Sequence, residues 1–298
     1  MGANDAANIF GPAVGTRAVR FWTAALITSA FVIVGALAQG IPGIETYKAL
    51  SDQTATQAVI ITLAAALTVT GMTYLGMPVS TTQAMVGSII GIGLIQGNVN
   101  WGVLARVVLA WILTPVGGAI AAYLFYRLAA ALVEEWLTSL QTYDRIIRIG
   151  FIVVGAYGAF SLGANNVANV TGVYVGADLL TPHEGVLLGS VSIALGVLTY
   201  SRRVMDTVGR DLVPLEPFSA LIAIMGESLT LYIYAIIGIP VSASQAIVGA
   251  VLGIGLVKGV RTIDRRTVRN ILFAWVGTPM TSAALALLLH HIWRWWFG

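Results

Sequence analysis

Long apolar runs joined by short polar links constrain the fold of this chain more than any other feature. Of its 298 residues, 57% are hydrophobic and 10% are charged, against about 25% charged in an average soluble domain. Several runs reach the roughly 20 residues that a helix needs to cross the hydrocarbon of a bilayer. The runs are 21–40, 58–76, 101–126, 146–162, 185–200, 217–238 and 270–293. Because alternating strand patterns are missing, we predict an all-α, polytopic membrane protein.

The charges of the chain agree with a membrane protein. The net charge is +3, and the basic residues are scattered over short loops, which is how multi-pass proteins use them. We therefore expect a protein of the cell membrane that contacts the lipid bilayer and has no nucleic-acid partner. The chain contains no cysteine, which excludes disulfides and thiolate metal sites.

The sequence repeats itself after an offset of 161 to 164 residues. A Gly-Ala-Asn motif, a Pro-Val-Ser motif, a glycine-rich segment and a Thr-Pro pair each occur twice in the same order. The paired segments are 2–8 and 163–169, 78–84 and 240–246, 87–97 and 249–259, and 114–115 and 278–279. The glycine-rich segments are typical of close helix packing through small residues. Four repeats at one offset indicate two related halves.

Basic residues in the loops indicate how the halves are oriented. The loop with Arg17 and Arg20 corresponds to 177–185, which has neither Lys nor Arg, and the loop 97–101, also without them, corresponds to the basic segment 258–266. The loop 41–56 has one Lys, whereas its counterpart at 202–210 has three Arg. Because basic loops stay in the cytoplasm, we predict that the halves are inserted in opposite orientations. Such inverted repeats are typical of secondary transporters, whose discontinuous helices meet at a central site.

The repeat also defines the expected units of the chain. We expect a first inverted repeat at 1–128, a cytoplasmic connecting segment at 129–148 and a second inverted repeat at 149–298. In the second half an apolar stretch precedes the Asn motif, whereas the first half begins within its motif. By analogy we expect that a leading helix is absent from the first repeat.

The Gly-Ala-Asn motifs place polar side chains at membrane depth in both halves. Amide and carboxylate oxygens suit a hard cation such as Na⁺, and a carboxylate within a membrane is expensive and indicates function. Interhelical hydrogen bonding is the alternative role, but it does not require two equivalent clusters. Glu227, in another apolar run, either joins this site or bonds a neighbouring helix. The predicted coupling-cation residues are Asn4, Asp5, Asn8, Asn166, Asn169 and Glu227, with Na⁺ possible at Asp5, Asn8 and Asn169.

The Pro-Val-Ser motifs predict two further helix N-termini inside the membrane. Pro78 and Pro240 are expected in the first turn of these helices, where the missing N–H is not needed. Free N–H groups and the helix dipole make such an end an anion site, although the hydroxyls also suit ordinary capping. We predict a tetrahedral oxyanion between the two ends. The predicted anion-binding residues are Ser80, Thr81, Thr82, Gln83, Ser242, Ser244, Gln245 and Asn165.

With these two motifs in each half, the sequence resembles the inorganic phosphate transporter (PiT) family from residue 2 to about residue 285. The resemblance implies import of phosphate coupled to Na⁺ or H⁺, no other cofactor and possible homodimers. It also implies that Ser80, Thr81, Thr82, Ser242 and Ser244 contact the anion.

Some positions depart from the pattern of this family. Asn166 stands where many members have Asp, Ala243 where Thr is usual and Val32 where Glu is frequent. The coupling ion therefore stays open, and a sulfate permease of the same family is the alternative. An anion channel is less favoured. We do not expect an enzyme, because the sequence offers no nucleophile–base pair and no metal triad.

Overall fold

A computed structural model of the chain describes residues 1–74, 79–136, 139–207, 215–259 and 265–297. In this part of the chain, twelve α-helices follow one another. They are α1 (Gly2–Gly15), α2 (Phe21–Gln39), α3 (Ile41–Leu50), α4 (Ala55–Tyr74), α5 (Thr81–Gln96), α6 (Trp101–Trp136), α7 (Leu140–Asn166), α8 (Ala168–Gly176), α9 (Pro182–Thr207), α10 (Pro217–Ile237), α11 (Ala243–Lys258) and α12 (Arg265–Phe297).

Seven stretches of the described residues are helical, long and apolar enough to cross a membrane. They correspond to the seven apolar runs of the sequence, which confirms the prediction of a multi-pass all-α protein. In contrast, α5 and α11 have only 16 residues each and are about 24 Å long at 1.5 Å per residue. Both short helices are largely buried. They therefore lie inside the bundle rather than against lipid.

The short helices of each half pack against the last long helix of the other half. A Cβ atom added to Gly87 of α5 would lie 2.3 Å from the carbonyl oxygen of Pro279 in α12. A Cβ added to Gly249 of α11 would lie 2.0 Å from the carbonyl oxygen of Pro115 in α6. Only glycine allows this approach, so the repeated glycines are packing residues, as the sequence predicted. Gly87 and Gly249 are equivalent positions of the repeat, and so are Pro279 and Pro115. The second contact is therefore the first one with the two halves exchanged.

A second pair of glycine contacts obeys the same exchange. The added Cβ of Gly2 in α1 would meet the carbonyl oxygen of Ile193 in α9 at 2.3 Å. That of Gly163 in α7 would meet the carbonyl oxygen of Val32 in α2 at 2.0 Å. Residue i of one half therefore contacts residue j of the other, and their counterparts do the same. This is the contact pattern of an approximate two-fold axis between the halves.

The connecting loops gather in two sets. In the first set, Lys48 Nζ lies 3.0 Å from Asp178 Oδ1, and Ser51 Oγ donates to Asn98 Oδ1 at 2.8 Å. This set contains the loops with few or no basic residues, which are expected outside the cell because basic loops stay in the cytoplasm. In the second set, Lys258 donates to Glu216. The Lys258 ammonium also lies 5.6 Å from the ring centroid of Tyr126.

The two sets lie at opposite ends of the molecule. Helix α6 begins at Trp101, beside the first set, and reaches Tyr126 of the second set about 38 Å further on at 1.5 Å per residue. The loop 97–101 and its counterpart, which begins at Lys258, therefore lie at different ends. This arrangement supports opposite insertion of the halves. Arg210 and Arg261, also used for that prediction, lie outside the described residues.

Two segments contain more helix than the sequence suggested. The segment 41–56, which was interpreted as a loop, contains α3. Pro42 lies in the first turn of this helix. The proposed connecting segment 129–148 is helical at both ends, because α6 continues to Trp136 and α7 begins at Leu140. Helix α3 matters for the site, because it packs on α8 beside the second Asn motif.

Candidate functional site

The N-termini of α5 and α11 are capped by the serines of the Pro-Val-Ser motifs. Ser80 Oγ accepts from the backbone N–H of Gln83 at 3.2 Å, and Ser242 Oγ accepts from that of Gln245 at 3.3 Å. The predicted N-terminal turns are therefore present. Pro240 was expected in the first turn, but it lies two residues before the Ser242 cap, so that expectation is wrong. Pro78 lies outside the described residues.

The two capped helix ends meet at Pro240 and Val241, the residues that precede the Ser242 cap of α11. Their backbone groups are engaged from several directions: Trp111 Nε1 donates to the carbonyl of Pro240 at 3.3 Å. The carbonyl of Val241 accepts from Thr82 Oγ1 at 3.0 Å, and its N–H donates to Asn165 Oδ1 at 3.3 Å. Thr82 belongs to α5 and Val241 precedes α11. The two N-termini therefore meet, as predicted from the repeat.

Asp5 lies at the centre of the polar cluster and is 5% exposed. Its Oδ2 accepts from Thr81 Oγ1 at 3.0 Å and from Asn166 Nδ2 at 2.9 Å, and its Oδ1 accepts from Asn4 Nδ2 at 3.2 Å. Asp5 and Asn166 are equivalent residues of the two Asn motifs. Their direct contact is the one expected if an approximate two-fold axis passes between them.

Asn169 connects the Asn motif of the second half with the hydroxyls of the first half. Its Nδ2 donates to Thr81 Oγ1 at 3.3 Å and to Thr82 Oγ1 at 3.1 Å. Its Oδ1 accepts from the phenol of Tyr47 at 2.5 Å. Tyr47 belongs to α3 and was not predicted, because the segment was read as a loop. Its signal in the sequence is weak: one aromatic residue in a short segment that begins with proline.

Several buried polar atoms of the predicted site have no hydrogen-bond partner. These atoms belong to both halves and include donors as well as acceptors. They are Asn8 Nδ2, Asn165 Nδ2, Asn166 Oδ1, Gln83 Oε1, Gln245 Oε1 and both carboxylate oxygens of Glu227. Buried polar groups in folded proteins are nearly always paired, and an unpaired one is costly. Because these residues belong to the predicted site residues of both halves, their unpaired atoms indicate a ligand site.

Glu227 and Ser244 also lie outside the bonded network. Glu227 of α10 is fully buried, and neither of its carboxylate oxygens has a hydrogen-bond partner. Ser244 is half-buried and pairs with Ser242 through their hydroxyls at 2.9 Å. Neither residue forms a hydrogen bond with Asp5 or Asn169.

The chemistry of the cluster limits its ligands. The described residues contain no group of three or more His, Cys, Asp or Glu that could hold a metal ion. A cation at the centre would therefore meet amide and hydroxyl oxygens around the Asp5 carboxylate, which suits a hard ion. An anion would meet two helix N-termini with hydroxyl and amide donors, which suit an oxyanion.

A multi-pass helical protein whose buried polar centre lies between two related halves has the architecture of a secondary transporter. The chain belongs to the phosphate transporter family, whose family model matches residues 1–136 and 130–286. Phosphate is the substrate of this family.

Individual proteins match nearly the whole chain. A protein of Methanocaldococcus jannaschii, provisionally named a phosphate permease, is 30% identical over 98% of this chain and 93% of its own length. The sulfate permease of Bacillus subtilis is also 30% identical, over 97% of this chain and 83% of its own length. The solved structure of a sodium-dependent phosphate transporter covers 98% of this chain and 95% of that one, with a TM-score of 0.83 and 23% identity. The last match shows a common fold.

Proposed function

We propose that the chain imports inorganic phosphate by symport with a cation, Na⁺ or H⁺. One observation carries this proposal: the Asp5 carboxylate accepts a hydrogen bond from Thr81 at the N-terminus of α5. The predicted cation residue and a predicted anion residue are therefore in direct contact. A shared hydrogen bond gives the two ligands a physical means of influencing each other.

The coupling follows from the charges. Without a cation, the Asp5 carboxylate repels an anion at the neighbouring helix ends and keeps the Thr81 hydroxyl bonded to itself. A cation or proton on Asp5 cancels the repulsion and frees that hydroxyl to donate to the anion. Each ligand then binds more tightly in the presence of the other, and by linkage the effect is reciprocal.

The proposed roles follow the two motifs. Phosphate is held at the helix ends by hydroxyl and amide donors, and the cation is held by the carboxylate and amides of the Asn motifs. The phosphate residues are Ser80, Thr81, Thr82, Gln83, Ser242, Ser244, Gln245 and Asn165. The cation residues are Asn4, Asp5, Asn8, Asn166, Asn169 and Glu227.

Uptake into proteoliposomes tests this proposal. Purified protein is reconstituted, and ³²P-phosphate accumulation is followed with an imposed Na⁺ gradient and, separately, an imposed pH gradient at matched membrane potential. Symport predicts accumulation above the equilibrium level with one of the gradients, and its loss when an ionophore collapses that gradient. Phosphate flux that ignores both gradients would replace the proposal with a channel.

Sulfate is the second candidate substrate, because the sulfate permease of Bacillus subtilis matches 97% of this chain. The difference between the anions lies in their protons. Phosphate at neutral pH retains a proton that can be donated to Asp5, whereas sulfate has none to donate. Uptake of ³²P-phosphate and ³⁵S-sulfate, each in competition with the other anion, separates the candidates. Sulfate uptake that resists excess phosphate would make sulfate the substrate.

A further inference from the structure

Tyr47 is a fully buried residue of α3 whose phenol reaches the polar centre. Its ring is enclosed, with no exposed surface, and its hydroxyl bonds Asn169 Oδ1 at 2.5 Å. Asn169 is itself fully buried and bonds both Thr81 and Thr82. Tyr47 therefore begins a chain of hydrogen bonds that ends at the proposed ligand site.

The donor and acceptor roles along these hydrogen bonds are fixed by the groups that Thr81 and Thr82 contact. The Asp5 carboxylate and the Val241 carbonyl are acceptors only, so Thr81 and Thr82 must donate to them. The hydroxyl oxygens of both threonines then accept from the amide nitrogen of Asn169, and its Oδ1 needs a donor. Tyr47 supplies that donor.

Within the described residues, the equivalent network is not formed on the other side of the two-fold axis. Asn8 corresponds to Asn169, yet its Nδ2 has no partner. The residues that correspond to Thr81 and Thr82 are Ala243 and Ser244, so one of the two hydroxyls is missing. At offsets of 161 and 162 residues, Tyr47 corresponds to Val208 or Gly209, which have no hydroxyl and lie outside the described residues. The directed network is thus a property of one half-site.

We propose that Tyr47 is a positioning residue for anion binding, an inference that rests on the proposed function. Tyr47 holds the Asn169 amide with its nitrogen towards Thr81 and Thr82. Both hydroxyls can then act only as donors, which is the role an anion requires. Without the phenol, the buried Oδ1 loses its donor, and rotation of the amide would satisfy it by drawing the threonine protons back towards Asn169.

The test is Tyr47→Phe, which removes one oxygen and keeps the ring. The KM for phosphate in proteoliposomes should rise about five- to tenfold, the effect of one buried hydrogen bond, while Vmax stays within about twofold of wild type because the ring packing is retained. Tyr157→Phe is the matched control, because Tyr157 is not among the predicted site residues and its ring packs against Tyr232. That control should leave KM unchanged.

A double-mutant cycle separates positioning from packing. If Tyr47 acts through Asn169, adding Tyr47→Phe to Asn169→Ala should raise KM no further than Asn169→Ala alone. Independent, multiplicative effects would overturn the proposal. An unchanged KM in Tyr47→Phe would also overturn it, because the phenol would then have no role in anion binding. A fall in Vmax alone or loss of the folded protein would overturn it too, because Tyr47 would then have only a packing role.

The outcome also distinguishes this inference from the proposed function. Wild-type uptake of phosphate or sulfate with an unaltered KM in Tyr47→Phe would refute the inference alone. If sulfate proves to be the substrate, the same KM comparison is made with sulfate. Wild-type protein that takes up neither anion would refute the proposed function, and the role of Tyr47 with it.

Discussion

Replacing Asp5 with Asn removes the carboxylate at the centre of the site without changing its size. Two donors, Thr81 and Asn166, converge on Oδ2 and one donor, Asn4, on Oδ1. An Asn side chain can place its oxygen at the Oδ2 position and keep two of these bonds. Its amide nitrogen then faces the Asn4 amide, which is half-buried and can turn. We expect a loss of folding free energy of about 1–2 kcal/mol, the cost of one buried hydrogen bond.

The effect on the coupling cation should be far larger. Two unit charges 4 Å apart at an effective dielectric constant of about 20 attract each other by about 4 kcal/mol. Losing that attraction lowers cation affinity by about three orders of magnitude, since each 1.4 kcal/mol is a factor of about ten. Asp5→Asn should therefore abolish gradient-driven accumulation of phosphate at any practical cation concentration.

The assay is accumulation in proteoliposomes, with protein amount and unfolding temperature measured on the same preparations. Asp52→Asn is the matched control, because it makes the same chemical change on an exposed loop residue, and it should accumulate phosphate like wild type. Accumulation by Asp5→Asn at the wild-type level would refute the reasoning that places the cation on Asp5.

Further predictions concern the axis, the helix contacts and the loops. Asn166→Asp sets two carboxylates face to face, so a second cation or proton should be needed, and the Hill coefficient for the cation should rise by about one. Gly163→Ala should lower the unfolding free energy by about 1–3 kcal/mol through overpacking, whereas Gly71→Ala, in open space, should not destabilise. The pKa of Glu216 is lowered because Lys258 donates to its carboxylate. Glu216→Gln should therefore lower the free energy of unfolding by less than about 1 kcal/mol at pH 7. The difference in unfolding free energy between this variant and wild type should vanish as the pH falls through the lowered pKa of Glu216.

The membrane spans and the meeting of the motifs were predictable because they depend on composition and repetition. A run of apolar residues near the length of the bilayer has few alternatives to a transmembrane helix. Polar motifs that occur twice, beside helix breaks, are expected to meet where the halves meet. The caps by Ser80 and Ser242 followed from local preference and are present.

The missed features depend on distances that no local pattern encodes. The repeat made Asp5 and Asn166 equivalent, but it gave no position for the axis, so their direct bond was not predicted. Tyr47 reaches Asn169 because α3 turns back against α8, a contact between distant parts of the chain. A local preference predicted Pro240 in the first turn of α11, but that helix is capped by Ser242. Pro240 lies before the cap, where its carbonyl accepts a hydrogen bond from Trp111. The roles of the individual site residues stay predictions.

The crossed contacts of the glycines have a consequence for biosynthesis. Helix α5 is too short to span a bilayer alone, and Gly87 and Gly91 fit against Pro279 and Ala283 of α12, which are synthesised long after α5. The first half therefore stays in the membrane with the α12-facing side of α5 uncovered until α12 is made. A nascent chain that ends before α12 is complete should be a substrate for membrane proteases and insertion chaperones.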